Sequence, residues 1–170
     1  TVNFGIVYGQ TAFGLARTLR IPRGEATECI AAYRKRFPQI DAFLQDCVAH
    51  AKAHGYVETI LGRRRRIPEI DARNPQRRAA AERLAINSVV QGSAADLIKR
   101  AMVNIARRTA AEERPSRMLL QIHDELVFEV PAEALEAERT MIVAEMTGAV
   151  ELSVPLKVDV GVGANWMEAK

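Results

Sequence analysis

Residues 121–130 read Gln121-Ile122-His123-Asp124-Glu125-Leu126-Val127-Phe128-Glu129-Val130, and the fold turns on how this stretch is read. Apolar residues lead in at Met118, Leu119, Leu120 and Ile122. Three polar residues, His123, Asp124 and Glu125, interrupt them, and β-formers resume at Leu126, Val127, Phe128 and Val130. The pattern predicts two short strands joined by a tight turn, with adjacent carboxylates at the tip. An exposed turn can carry such residues for solubility alone. It can also hold Mg²⁺, which keeps most of its waters and takes only one or two protein carboxylates beside substrate phosphate oxygens.

Upstream of this hairpin the chain reads mainly as helix. Residues 1–9 follow a helical pattern that Gly9 breaks, and residues 11–19 read as a short helix stopped before Pro22. Pro22-Arg23-Gly24-Glu25 starts a helix to about Phe37, and Pro38 opens another to about His54, with Gly55 as its C-cap. Residues 56–67 read as a second hairpin with Gly62 near its turn. Beyond Asn74-Pro75 the longest helix runs to about Ala110, its apolar positions Leu84, Val90, Leu97, Ile98, Ala101 and Ile105 at helical spacing and Gly92 a possible kink. Downstream of residue 130, a helix is expected over 132–149 with Leu135, Ile142, Met146 and Ala149 buried, then a last strand at 156–162. Helices first, then strands with helices on one side, is an α+β arrangement.

Composition bounds the function. At 170 residues and 48% hydrophobic, the chain can bury a core and is not disordered. No apolar run approaches the ~18 residues of a membrane span, and there is no signal peptide. Thr1 opens directly into a dense motif without an initiator Met, as expected of a piece of a longer chain. Cys29 and Cys47 lack CxxC spacing and read as reduced thiols in an intracellular core. The net charge of +3 is unevenly spread. Residues 1–110 hold 19 Lys and Arg against 9 Asp and Glu, whereas residues 111–170 hold 5 against 12. A basic first part suggests a polyanionic partner, and 19 of the 24 basic residues are Arg, which suits bidentate phosphate contact as well as a base-composition bias.

Three constellations carry chemistry. Arg83, Asn87 and Gln91 are spaced i, i+4, i+8, a polar row on an otherwise apolar or small-residue helix. Such a row is either a solvated face or a reader of the minor groove, whose acceptors recur at every base pair. Arg63 to Arg66, with Arg73, Arg77 and Arg78, form an ordinary basic loop or a source of sequence-independent phosphate affinity. Phe4 and Tyr8 share one helix face, as a core stripe or as a platform on which bases stack.

At these residues the chain resembles a known family. Thr1-Val2-Asn3-Phe4-Gly5-Ile6-Val7-Tyr8-Gly9 looks like the latter part of motif B of family A DNA polymerases, the bacterial DNA polymerase I type, and residues 121–130 look like motif C. Residues 55–59 with 62–65, residues 79–87 with 91–96, and Asn165-Trp166 also match, so the resemblance covers essentially the whole chain in order. It implies partial fingers at residues 1–75 and the carboxy-terminal part of the palm at 76–170. It implies that Asp124 is a ligand of a catalytic Mg²⁺ pair with Glu125 beside it, and that His123 and Gln121 lie near the primer terminus. Arg83, Asn87 and Gln91 would follow the minor groove of primer–template DNA. Phe4 would pack against the incoming dNTP, Phe rather than Tyr here being associated with discrimination against dideoxynucleotides. Tyr8 would sit at the template position, and Thr1 and Arg65 would contact template or duplex backbone. The implied setting is the bacterial cytoplasm, at the nucleoid, with no membrane partner.

The chain also departs from the family pattern. It begins just after the Arg and Lys of motif B that hold the triphosphate. No block resembles motif A, which supplies the other metal-binding Asp, and the thumb and exonuclease domains are missing. One hairpin carboxylate cannot firmly clamp two ions, and Asp159, the nearest acidic substitute, reads better as a surface residue. The expectation is a parent that is a DNA-directed DNA polymerase and a fragment that is inactive alone. The alternatives are a non-catalytic duplex-binding remnant and, further off, a one-metal nuclease using His123 and Asp124.

Overall fold

The computed structural model describes residues 2–169, which divide into two compact units, one up to Ser93 and the other from Ala94 onward. The first unit opens with α1 (Val2–Val7) and α2 (Ala12–Leu19), followed by α3 (Arg23–Arg36) and α4 (Pro38–His54). Capping chemistry sets these boundaries. The Thr11 hydroxyl accepts from the Gly14 N–H at 3.2 Å, and Pro38 supplies a first helical position that needs no N–H partner. Gly55 closes α4 by donating its N–H to the Ala51 carbonyl at 2.8 Å.

A two-stranded antiparallel ribbon follows, β1 (Tyr56–Glu58) and β2 (Arg64–Arg66), in register Tyr56–Arg66, Val57–Arg65 and Glu58–Arg64. Asn74 then caps α5 (Pro75–Ala111), its side-chain oxygen accepting from Gln76 and Arg77 at 2.9 and 3.2 Å. The core of this unit joins α4, the ribbon and the first part of α5 through Ala51, Val57, Ile67, Ile70, Ala81 and Ala85. A neighbouring cluster of Leu44, Cys47 and Ile86 continues it. Burying side chains such as Ile67 and Val57 contributes about 1.5–3 kcal/mol each, and the alanines of α5 let the ribbon lie close to the helix.

The helix passes through Gly92 without interruption, and this residue serves close approach instead of a kink. A Cβ there would lie 2.7 Å from the Thr59 methyl. The ribbon is fastened at the same place: Ile60 N–H donates to Ser93 Oγ at 2.9 Å, and Arg63 donates to the Gly92 carbonyl at 3.0 Å. Of the expected apolar row of α5, Ala101 and Ile105 are buried and Val90, Leu97 and Ile98 half-buried, and one position is corrected. Leu84 is exposed, and Ala81, Ala85 and Ile86 take the buried positions.

The second unit contains the rest of α5, the hairpin of β3 (Arg117–Ile122) and β4 (Glu125–Glu129), a single 3-10 turn at Ala132–Ala134, and α6 (Leu135–Thr147). The hairpin read from the sequence forms, with a bulge between Met118 and Leu120 that leaves Leu119 without a counterpart and reverses the pleat. On α6 the buried positions are Glu138 and Met141, while Leu135, Ile142, Met146 and Ala149 are half-buried. Glu138 could not be found from apolar periodicity, because its burial rests on polar partners. Arg114 Nε lies 3.0 Å from its carboxylate and Ser116 Oγ donates to it at 2.5 Å. The last expected strand, 156–162, does not form: the segment has no regular secondary structure and no hydrogen-bonded partner strand among the described residues. Alternating valines favour a strand, but only a neighbouring edge can complete one. No helix of the described residues is long and apolar enough to cross a membrane.

Candidate nucleic-acid interface

In the first unit, α1 displays Phe4 and Tyr8 at i, i+4. Phe4 is 70% exposed, and its ring stacks on that of Tyr8 at 6.3 Å with 13° between the planes. Ile6 is the buried residue of α1 among those whose side chains are described. The pair is thus a partly exposed aromatic platform, and the core-stripe reading fails for Phe4. The chain turns immediately afterwards at Gly9, whose φ of +74° is accessible to glycine without strain. The Arg83 stem lies against this bend, 3.1 Å from where a Cβ would be, so a side chain here would press Arg83 aside by a few tenths of an ångström. The fold therefore brings the first aromatic motif beside the first member of the polar row.

Along that row Arg83 and Gln91 are exposed and Asn87 is half-buried. The Asn87 side-chain oxygen is buried and accepts no hydrogen bond among the described residues. An orphaned buried acceptor costs roughly 1–3 kcal/mol, and such costs cluster at functional positions. The basic cluster, uniform in sequence, separates in space. Arg63 is committed to the Gly92 carbonyl, Arg64 pairs with Glu58 at 2.7 Å, and Arg77 pairs with Glu69 at 2.7 Å. Hydrogen bonding to Glu58 holds the Arg64 guanidinium even more firmly charged than usual. Arg65, Arg66, Arg73 and Arg78 are exposed and carry no ion pair among the described residues. The register of β1 and β2 is the signal that separates Arg64 from Arg65, since only Arg64 faces an acid across the ribbon.

In the second unit, His123 and Asp124 form the turn between β3 and β4, and Glu125 opens β4 opposite Ile122. This corrects the expectation of two carboxylates at the tip. His123 adopts the left-handed conformation at φ +55°. That is uncommon outside glycine, and residues held there concentrate at functional sites. Gln121 braces the turn by donating its side-chain N–H to the His123 carbonyl at 2.8 Å. His123, Asp124 and Glu125 are exposed, and neither carboxylate forms an ion pair among the described residues. No three His, Cys, Asp or Glu side chains converge among those residues. Asp124 thus presents free acceptor oxygens, sufficient for one or two positions on a hard cation and no more. Asp159 lies on the carboxy-terminal tail, exposed and paired with Lys157 at 2.8 Å, as a surface residue would be. Thr1 lies outside the described residues.

Comparison with known proteins follows the same residues. The family model described as DNA polymerase family A matches residues 1–168. DNA polymerase I of Lactococcus lactis subsp. lactis is 48% identical over 169 residues, 99% of this chain and 19% of that protein. The thermostable DNA polymerase I of Thermus aquaticus is 46% identical over 170 residues, 100% of this chain and 20% of its own. The chain therefore spans about one-fifth of the length of these relatives. Among solved structures, the POL domain of Pol1 from M. smegmatis, in complex with DNA primer-template and dNTP, superposes with a TM-score of 0.95 at 44% identity. That match covers 98% of this chain and 30% of that one.

Proposed function

Given that this chain belongs to the family A DNA polymerases, we propose that it forms part of the fingers (residues 1–75) and the carboxy-terminal part of the palm (76–170) of a DNA-directed DNA polymerase. The parent adds dNTPs to a primer 3′ end by two-metal phosphoryl transfer. The observation that carries this reading is the free, exposed carboxylate of Asp124 on a braced hairpin turn, in a chain similar to a domain solved with primer-template and dNTP.

Asp124 is the proposed Mg²⁺ ligand, with Glu125 adjacent. The donor set fits, because Mg²⁺ accepts few protein carboxylates and completes its octahedron with water and phosphate oxygens. When bound, the ions supply charge stabilisation to the attacking 3′-hydroxyl oxygen and to the departing pyrophosphate. His123 and Gln121 hold the primer terminus at the turn. Arg83, Asn87 and Gln91 track the minor groove, with Gln91's exposed amide free to meet base edges. Phe4 packs on the incoming nucleotide and Tyr8 occupies the template position. Arg65 neutralises backbone phosphate. The parent works in the bacterial cytoplasm, on the nucleoid.

Asp124 on its turn can supply only one or two positions on a hard cation, so we propose that the chain alone binds duplex without extending it. Arg65, Arg66, Arg73 and Arg78, without ion pairs among the described residues, favour this duplex-binding reading of the isolated chain. The test is the chain on a labelled primer–template with dNTPs and Mg²⁺. Salt-sensitive binding without extension is expected. Extension would overturn the need for a second carboxylate, and absence of binding would overturn the duplex contacts.

A further inference from the structure

The last turn of α4 carries a feature that polymerisation does not use. His50 and His54 stand at i, i+4 on one face, their ring centroids 4.5 Å apart. Tyr56, first residue of β1, closes over both, with its ring edge-on to His50 at 5.5 Å and tilted to His54 at 5.9 Å. His50 is half-buried and His54 exposed. The His50 Nε2 atom is buried and has no hydrogen-bond partner among the described residues. A buried ring nitrogen with nothing to bond is a standing cost, and a second imidazole one turn away offers a shared way to relieve it.

We propose that His50 and His54 chelate a borderline divalent transition-metal ion of the Zn²⁺ class, which clamps the last turn of α4. Two histidines one helical turn apart can direct ring nitrogens to one point, and imidazole suits Zn²⁺, Cu²⁺ and Ni²⁺. The helix C-terminus favours a cation through its partial negative charge. An opposing charge is Arg64, whose guanidinium lies 4.7 Å from the Tyr56 ring centroid, and Glu58 balances it at 2.7 Å. No third His, Cys, Asp or Glu joins the pair among the described residues. The two histidines therefore supply the protein's ligands, the ion enters from the exposed His54 side, and it binds reversibly. Because the ion binds only the folded arrangement, occupancy raises the stability of the unit that contains α4 and the basic ribbon.

The test uses the 170-residue chain, metal-free, titrated with ZnCl₂ by calorimetry and followed in parallel by thermal unfolding. Saturable binding of one ion per chain is expected, with a rise in Tm that EDTA reverses. His54→Ala, at an exposed position, folds like the parent sequence and weakens binding by at least about tenfold, since even changes in the outer shell of a metal site have that effect. His123→Ala, which removes the histidine outside this pair, leaves the affinity unchanged. Absence of saturable binding, equal affinity in His54→Ala, or loss of affinity in His123→Ala instead would each overturn the proposal.

Discussion

Phe4 and Gln91 carry side chains that no packing requirement explains. Phe4 projects with 70% of its surface exposed, held only by its stack on Tyr8. An exposed aromatic ring on a short helix is open to a partner, which under the proposed function is the incoming nucleotide. In the full-length parent, Phe4→Tyr is expected to ease dideoxynucleotide incorporation, measured as the ratio of kcat/KM for ddNTP and dNTP. An unchanged ratio would mean Phe4 does not meet the sugar. Gln91 is exposed at the end of the polar row. Its truncation to Ala should weaken primer–template affinity by about 1 kcal/mol, the usual net worth of a hydrogen bond. The same loss from an exposed Ala94→Ser change would show that the helix surface, not the amide, is responsible.

The elements show which features of the chain were legible in advance. Capping residues and prolines spoke plainly: Thr11, Pro38, Asn74-Pro75 and Gly55 mark boundaries the structure keeps, because each satisfies or removes a specific terminal hydrogen bond. The His123–Asp124 turn was equally readable from alternation on either side of it. Burial was harder. Glu138 is buried because Arg114 and Ser116 approach from the segment before β3, a pairing that no window of local sequence contains. The strand at 156–162 failed because strand formation needs a partner edge, a property its own residues do not encode. Gly92 looked like a helix breaker because the approach of Thr59 could not be seen. In the candidate site, residue types and spacing singled out Asp124, Phe4 and the polar row as candidates, but only the fold separated Arg64, committed to Glu58, from Arg65.

Three predictions belong to these elements. Helix propensity alone favours Gly92→Ala by about 1 kcal/mol, whereas the Thr59 methyl at 2.7 Å opposes it. Thr59 Oγ1 also accepts from the Arg63 N–H at 3.1 Å, which restrains its rotation. Overpacking typically costs about 1–3 kcal/mol, so the variant should be less stable in urea unfolding; a more stable variant would mean the ribbon gives way freely. Arg114→Ala leaves the Glu138 carboxylate, 2% exposed, without its cation, and should cost about 3 kcal/mol, as broken buried pairs do. Glu112 has its pKa lowered, first by a hydrogen bond from Arg108 and then by one from Arg114. A carboxyl held below its unfolded value stabilises the fold above that unfolded pKa and loses this contribution as pH falls through the folded one. Glu112→Gln should therefore reduce the acid sensitivity of unfolding, and an identical acid midpoint would show that the pair contributes nothing.

At the scale of the whole molecule, charge separation is the governing property. The basic first part carries Arg65, Arg66, Arg73 and Arg78 without ion pairs among the described residues, while the turn that offers a carboxylate lies in the acidic remainder. Duplex affinity resting on phosphate contacts falls with salt, with a slope of about −0.9 per phosphate neutralised. Arg65→Ala should lower that slope by about one and weaken binding alike for all sequences. An unchanged slope would remove Arg65 from the backbone contacts.

The central claim is that Asp124 holds a catalytic metal ion in the complete polymerase, and one measurement reaches it directly. The full-length parent carrying Asp124→Ala is assayed side by side for primer–template affinity and for single-turnover extension in Mg²⁺. Loss of several kcal/mol of transition-state charge stabilisation predicts extension slowed by roughly a thousandfold or more, with DNA affinity close to the parent's. Extension at the parental rate, or a defect that appears only in binding, would contradict the account.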